Sequence, residues 1–354
     1  MKYLNLLLIF IPFTIVARII HLNEGLIFFA ACFSIVPLAV IIGDATEQIS
    51  LYTGPKIGGL LNATMGNVPE LLIGVFSVKA GLYTLVLASM AGSIMGNIML
   101  VLGFSVFLGG LKFKFQNFNK TIARSNFTLL CFAAISIIIP FAFKYAIKSH
   151  PNATNSMNIV SLGIAITMLV LYILGLVFSL VTHRNIFVQH QEHEGEEEEK
   201  PKWKLGVAVI ILAVTTILVA IQSETLVATV EHTVEQFGLP EMFIGIILIP
   251  ILGNVAEHAS AIIMAVKNKI DISIEIAVGS SMQIALFVAP ILVILSFIIR
   301  QNPIQYVYSP FEVVGLMAGI VMSIYVFQDG KTNWLEGVQL ICCYIILALA
   351  FFFI

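Results

Sequence analysis

Glu70 and Glu257 stand in near-copies of one short phrase, GNVPELLIG over 66–74 and GNVAEHASA over 253–261, each inside an apolar run. No cation lies close to either acid along the chain, since Lys79 and Lys267 follow nine and ten residues later. An ionised carboxylate within an apolar span costs several kcal/mol unless it is paired, solvated or bound to a cation. Two such carboxylates brought together match the charge of one divalent cation or of two protons, so the pair suits competition between the two. Asn67 and Asn254 precede the acids by three residues, on the same helical face. Ser93, Ser280 and Gln283 offer further neutral oxygens. Hard oxygen donors with no thiolate and at most one imidazole favour Ca²⁺ over Zn²⁺ or Cu⁺. His258 follows Glu257 where the first copy has Leu71. It reads either as a proton-pathway residue that tunes Glu257 or as a polar group bonded to a neighbouring helix.

The duplication extends beyond the two phrases. Setting Gly66 against Gly253 gives an offset of 187, which also pairs GSIMGN (92–97) with GSSMQI (279–284). Upstream, GDATEQIS (43–50) echoes VEHTVEQF (230–237) with one extra residue. Three blocks in the same order mark the halves as duplicates. Gly66, Gly253, Pro69 and Pro250 lie where helices would break, and a broken span is allowed only where freed backbone lines a wet cavity. Asn62 and Thr64 line up near that cavity.

The elements that position these residues follow from composition. Apolar residues make up 59% of the 354, charged ones 11%, against about a quarter charged in a soluble domain. Apolar runs reach the ~20 residues that cross a bilayer as a helix, and the ~10-residue alternation of a membrane barrel is absent. The expectation is an all-α polytopic membrane protein with eleven spans, at 4–20, 26–43, 57–78, 82–108, 122–143, 158–182, 205–221, 240–266, 271–299, 308–327 and 335–354. The first span has the short core of a signal peptide, but no small-residue cleavage site follows it, so it is kept as a helix. Thirteen of the eighteen Lys and Arg fall on the side of the N-terminus and five on the other. Positive loops stay cytoplasmic, which places the N-terminus inside and the C-terminus outside. The first copy lies in span 3 and the second in span 8, and an odd separation makes them antiparallel, as in transporters built from inverted repeats. The expected divisions are an N-terminal helix (1–23), a first five-helix repeat (24–182), an acidic cytoplasmic loop (183–204) and a second five-helix repeat (205–354). Cys32, Cys131, Cys342 and Cys343 all fall inside apolar spans without metal-ligand spacing. Glu196, Glu197, Glu198 and Glu199 in the loop read as a solvated linker or as a regulatory cation-sensing segment.

The stretches GDATEQISLYTGPKIGGLLNATMGNVPELLIG and FIGIILIPILGNVAEHASAIIMAVKNKIDISIEIAVGSSMQIALFVAP resemble the two signature regions of the calcium/proton exchanger (CAX) family, within the cation/Ca²⁺ exchanger superfamily. The resemblance covers nearly the whole chain, and the short N-terminus and modest loop are similar to bacterial members. It implies that Glu70 and Glu257 bind Ca²⁺ and protons alternately, with Asn67, Asn254, Ser93, Ser280 and Gln283 completing the cavity and His258 beside it. Acids flanking the family's repeats match Glu47 and Glu231 or Glu235, read as entrance or gating charges. Val68-Pro69 departs from the small residues more usual in the first motif. The function implied by the resemblance is that of a Ca²⁺/H⁺ antiporter of a bacterial cell membrane. Ca²⁺ and H⁺ are then the transported ions, with no cofactor, the lipid bilayer as surroundings, no nucleic-acid partner, and room for a homo-oligomer such as a trimer.

Three other classes compete with that reading. A Na⁺/Ca²⁺ exchanger, or an antiporter of broader divalent specificity, shares the plan, and the site chemistry does not exclude Na⁺. A channel fits duplicated acids on broken helices less well than an occluding carrier. An intramembrane hydrolase lacks both HExxH and GxSxG, and an enzyme is therefore not expected.

Overall fold

The computed structural model describes residues 4–182 and 201–354. Glu196 to Glu199 therefore lie outside the described residues. Among those described, seven helices are long and apolar enough to cross a membrane, or eight when the bent pair Glu241–Gly253 and Val255–Val266 is taken as one. Two shorter apolar helices, Leu6–Ile19 and Pro310–Val326, accompany them.

In chain order the first half comprises α1 (Phe10–Ile19), α2 (Glu24–Met65), α3 (Val68–Ala80), α4 (Tyr83–Met95), α5 (Leu102–Phe113), β1 (Phe115–Asn117), α6 (Lys120–Ala146) and α7 (Ala153–Val177). The second half comprises α8 (Leu205–Phe237), α9 (Glu241–Gly253), α10 (Val255–Val266), α11 (Ile270–Gln283), α12 (Ala289–Ile299), α13 (Pro310–Val326), β2 (Lys331–Asn333) and α14 (Trp334–Phe352). A π-helical turn joins α4 to α5 at Gly96–Val101, and another joins α11 to α12 at Ile284–Val288. Polar caps start several helices. Asn23 accepts from Leu26 N, Asn119 from Thr121 N and Ile122 N, and Ser309–Glu312 and Asn333–Glu336 form capping boxes.

The spans expected at 26–43 and 57–78 part at Gly54 (φ 79°), where the helical course of α2 is broken, and the second is broken again at Gly66–Asn67. Gly54 has no Cβ and takes that conformation without steric cost. One expectation is corrected: the span expected at 205–221 continues as helix to Phe237, so 222–237 is not a loop. Its polar character is explained by burial, since Gln222, Ser223, Thr225, Thr229 and Thr233 face inward while Leu226, Val227 and Val230 pack on Phe28, Ala31 and Ile35 of α2.

Contacts between helix ends fall into two groups. In the first, Gln48 Oε1 accepts from Lys202 N (2.7 Å) and Trp203 N (3.2 Å), β1 pairs antiparallel with β2, and Asp271 Oδ1 accepts from Asn119 N (2.7 Å). In the second, Tyr83 Oη donates to Asn302 O (2.6 Å), Gln305 Nε2 to Asn158 Oδ1 (3.3 Å), and His232 sits 2.9 Å from Glu24. We call the ends joined by these groups the first and second face. The buried core runs between them along α4, whose residues from Leu85 to Met95 are all buried.

Candidate functional site

The site is built on the two helix breaks. Asn67 and Asn254 sit at their corners with almost the same backbone, φ −100°, ψ 15° and φ −99°, ψ 13°. At the second break the arms meet at 61°. A new helix begins after each corner, and Glu70 and Glu257 lie in its first turn. The amide ends of those helices favour negative charge there. Each asparagine ties its corner to the preceding arm and to the other half of the chain. Asn67 Nδ2 donates to Ala63 O (3.4 Å) and to Gln283 Oε1, and Asn254 Nδ2 to Pro250 O (3.0 Å) and Ser93 Oγ (3.3 Å).

The two acids cross over. A Cβ placed on Gly253 would lie 2.8 Å from Glu70 Oε1, and one on Gly66 would lie 3.6 Å from Glu257 Oε1. Each carboxyl thus leans over the glycine of the other phrase, and a Cβ at position 253 would push the Glu70 carboxyl aside. Glu70 is 4% exposed, and both its carboxyl oxygens, together with Glu257 Oε2 and Asn67 Oδ1, are buried with no hydrogen-bond partner. Buried polar atoms are normally satisfied. Unpartnered hard oxygens brought together in this way fit an oxygen-seeking cation or protons as cargo.

Ser280 hydrogen-bonds Glu257 and also accepts from Asn97 Nδ2 at 2.9 Å. Asn97 Oδ1 lies 3.2 Å from His258 Nε2. Asn97 is the residue that sequence reasoning missed, although it ends the GSIMGN block. Its signal in the sequence is a polar residue inside an apolar run, which the structure buries at the start of a π-turn. Of the expected site residues, Asn67 thus meets Gln283, Asn254 meets Ser93, and Glu257, Ser280 and His258 are linked through Asn97, with Glu70 beside Gly253. Glu47, Glu231 and Glu235 are not part of this cluster. Glu47 is exposed near the first face, and Glu231 and Glu235 are exposed on α8 near the second. Asn62 is exposed and Thr64 turns back to Leu60 O.

The surroundings of the two halves differ. A Cβ on Gly92 would collide with the Ile246 backbone, and one on Gly245 would lie 2.7 Å from Ala88 Cβ, so α4 and α9 are in backbone contact on the second-face side. At Gly279, the counterpart of Gly92, nothing lies within 4 Å. Asn62, Ala259, Ser260 and Glu275 are exposed on that first-face side.

This chain matches the sodium/calcium exchanger protein family over residues 24–181 and 207–353, in effect both halves. The chain belongs to that family. It is 46% identical over 343 residues to the Ca²⁺/H⁺ antiporter ChaA of Bacillus subtilis, covering 97% of this chain and 96% of that protein. It is also 41% identical to a Ca²⁺/H⁺ antiporter of Aphanothece halophytica, over 98% of this chain and 95% of the relative. Among solved structures, native YfkE superposes with a TM-score of 0.84 at 41% identity, covering 99% of this chain and all of that one. The H⁺/Ca²⁺ exchanger CAX superposes at 0.72 with 15% identity over 99% of this chain and 92% of that chain, a likeness of fold alone. Family, helical membrane fold and bacterial kinship agree with the sequence reading.

Proposed function

We propose that this protein is a secondary antiporter that exchanges Ca²⁺ for H⁺ and uses an inward proton gradient to export Ca²⁺ from the cytoplasm. The observation that carries the reading is the crossed pair Glu70 and Glu257, with buried, unpartnered oxygens reaching over opposite glycines. One Ca²⁺ neutralises two carboxylates, and so do two protons, which makes occupancy mutually exclusive without any covalent step. Asn67, Asn254, Ser93, Ser280 and Gln283 complete the oxygen shell, and Asn97 with His258 holds Ser280 and the rim of the Glu257 side. The similarity to proteins named Ca²⁺/H⁺ antiporters supports the same assignment of ions.

The wider architecture in this reading is an N-terminal helix followed by two inverted five-helix repeats, eleven crossings in all. The grouping of helix ends into two faces supports it, because successive crossings alternate between those groups. By the sequence, thirteen of the eighteen Lys and Arg belong to the N-terminal side, and the first face is taken as that cytoplasmic side, with the C-terminus outside. The contact of α4 with α9 seals the second-face side, and the open surroundings of Gly279 leave the site facing the cytoplasm, one of the two states of alternating access.

Purified protein in proteoliposomes tests the function directly. Ca²⁺ uptake should follow an imposed pH gradient and be indifferent to Na⁺. Uptake driven by a Na⁺ gradient at constant pH would replace this reading with Na⁺/Ca²⁺ exchange.

A further inference from the structure

The glutamate-bearing helices α3 and α10 end alike, at positions matched by the 187-residue offset. Each closes on a left-handed residue, Gly81 (φ 86°) for α3 and Asn268 (φ 66°) for α10. The closing bonds also correspond: Leu82 N donates to Ser77 O and Lys269 N to Met264 O, both at 2.9 Å. Such a cap leaves the last carbonyls with spare acceptor capacity at the negative end of the helix.

Side chains from the other half of the chain take up that capacity. Behind α12, Arg300 Nε donates to Val78 O at 3.1 Å and its Nη2 donates to Lys79 O. The counterparts of those carbonyls, by offset, are Ala265 and Val266. Gln116 Nε2 donates to Ala265 O at 2.8 Å and Lys112 Nζ to Val266 O at 3.0 Å. Gln116 also bonds Asn268 Oδ1 at 3.1 Å and is buried. One guanidinium fork on one side does what an ammonium and an amide share on the other. In both places a cation complements the helix C-terminus.

We infer that Arg300, and Lys112 together with Gln116, are positioning residues: each set clamps one glutamate-bearing helix to the opposite half of the molecule, so that Glu70 and Glu257 stay in register while access changes. This rests on the exchange reading above. The clamped segments are the arms after each break. The arms before the breaks carry the interruptions instead, the left-handed Gly54 ahead of 55–65 and the π-helical turn Ile244–Leu248 within α9. Movement in the cycle therefore falls on 55–65 and 241–253. Neither clamp touches the ion. Each acts through the placement of a carboxylate some two to three turns away along its helix.

Equilibrium Ca²⁺ binding in detergent reads the clamp independently of transport. Arg300→Gln should raise the Ca²⁺ Kd about tenfold, since hydrogen bonds from a charged donor are lost, and Arg300→Lys should recover part of it. Lys112→Met combined with Gln116→Met should match Arg300→Gln. An unchanged Kd in folded Arg300→Gln protein would overturn the inference. A covalent test serves where that variant does not fold. In a background without the native cysteines, Lys79→Cys and Arg300→Cys are joined by a short bifunctional thiol reagent. The bridged protein should exchange Ca²⁺ at the unmodified rate and with restored affinity, and a bridge that stops exchange would show that α3 moves against Arg300. If unmodified protein showed no proton-driven uptake, the exchange reading would fail while the Kd result still judged the clamp.

Discussion

GNVPELLIG and GNVAEHASA share a corner geometry and differ in almost everything around it. In the first, Asn67 through Glu70 are buried without a gap, and Pro69 stands in the first turn of α3. In the second, Asn254 is buried but Val255 through His258 are half-exposed and Ala259 and Ser260 are exposed. Leu71 of one copy corresponds to His258 of the other, and only the second copy is drawn into a polar chain, Glu257 to Ser280 to Asn97 to His258. The glycines one helix away repeat the contrast, Gly92 against the Ile246 backbone and Gly279 in open space. Duplicated phrases make duplicated corners. The packing around them is unequal, tight between α4 and α9 and open at Gly279.

The largest effect is expected where the copies are chemically equal. Glu70→Gln and Glu257→Gln keep side-chain shape but cannot cycle a proton or balance a divalent charge, and each should abolish proton-driven Ca²⁺ flux in proteoliposomes. Near-normal flux in either would break the equivalence of the two acids.

The glycine contrast should separate stability from turnover. Gly92→Ala drives a methyl into the Ile246 backbone and should destabilise the protein by about 1–3 kcal/mol in detergent unfolding, the cost of overpacking. Gly279→Ala meets nothing and should change stability by less than about 0.5 kcal/mol, as at an unconstrained position. It should instead slow exchange, because closing the first-face side would bring a counterpart backbone to the same spot. Equal stability losses would show that the two sides are packed alike.

His258→Leu copies the first phrase into the second. It should weaken Ca²⁺ exchange by about 1 kcal/mol, roughly fivefold, by breaking one hydrogen bond, and Asn97→Ala should cost about twice that, since it breaks the bonds to both Ser280 and His258. The double variant should be no worse than Asn97→Ala alone, since that variant already breaks the contact with His258. Strictly additive losses, measured as Ca²⁺ exchange rates, would separate His258 from the chain through Asn97. The smallest effect is assigned outside both copies. Glutamine at Glu196 to Glu199 should leave the maximal rate within about twofold, as for solvated surface charges, and a dead but folded variant would give the loop a direct part in transport.

Much of the site is legible in the sequence because burying charge in an apolar helix is expensive, so the few polar residues stand out. Glu70, Glu257, Asn67, Asn254, Ser93 and Ser280 can be picked from composition and offset, and Gln283, whose matched position is Gly96, from its place in the second signature region. Asn97 escapes because it has no polar counterpart at the matched position, which is Ile284. The end of α8 misleads for the opposite reason. Its threonines and Gln222 look like loop by polarity, yet they are buried against α2 and α1, with Thr14 Oγ1 donating to Gln222 Oε1 at 2.8 Å. Hydropathy measures transfer from water and carries no information on a polar face turned inward.

The sequence by itself determined the helical membrane class, the duplicated acids and the corners that carry them, because each follows from local composition and short-range spacing. Only the tertiary structure decided that Glu70 reaches over Gly253 and Glu257 towards Gly66, that Gln283 rather than Ser280 receives Asn67, and that Arg300 alone matches Lys112 with Gln116. These are contacts between residues some 150 to 220 positions apart. Their geometry depends on how whole helices lie against one another, and near-identical phrases come to unlike surroundings because the helices packed around each differ in sequence.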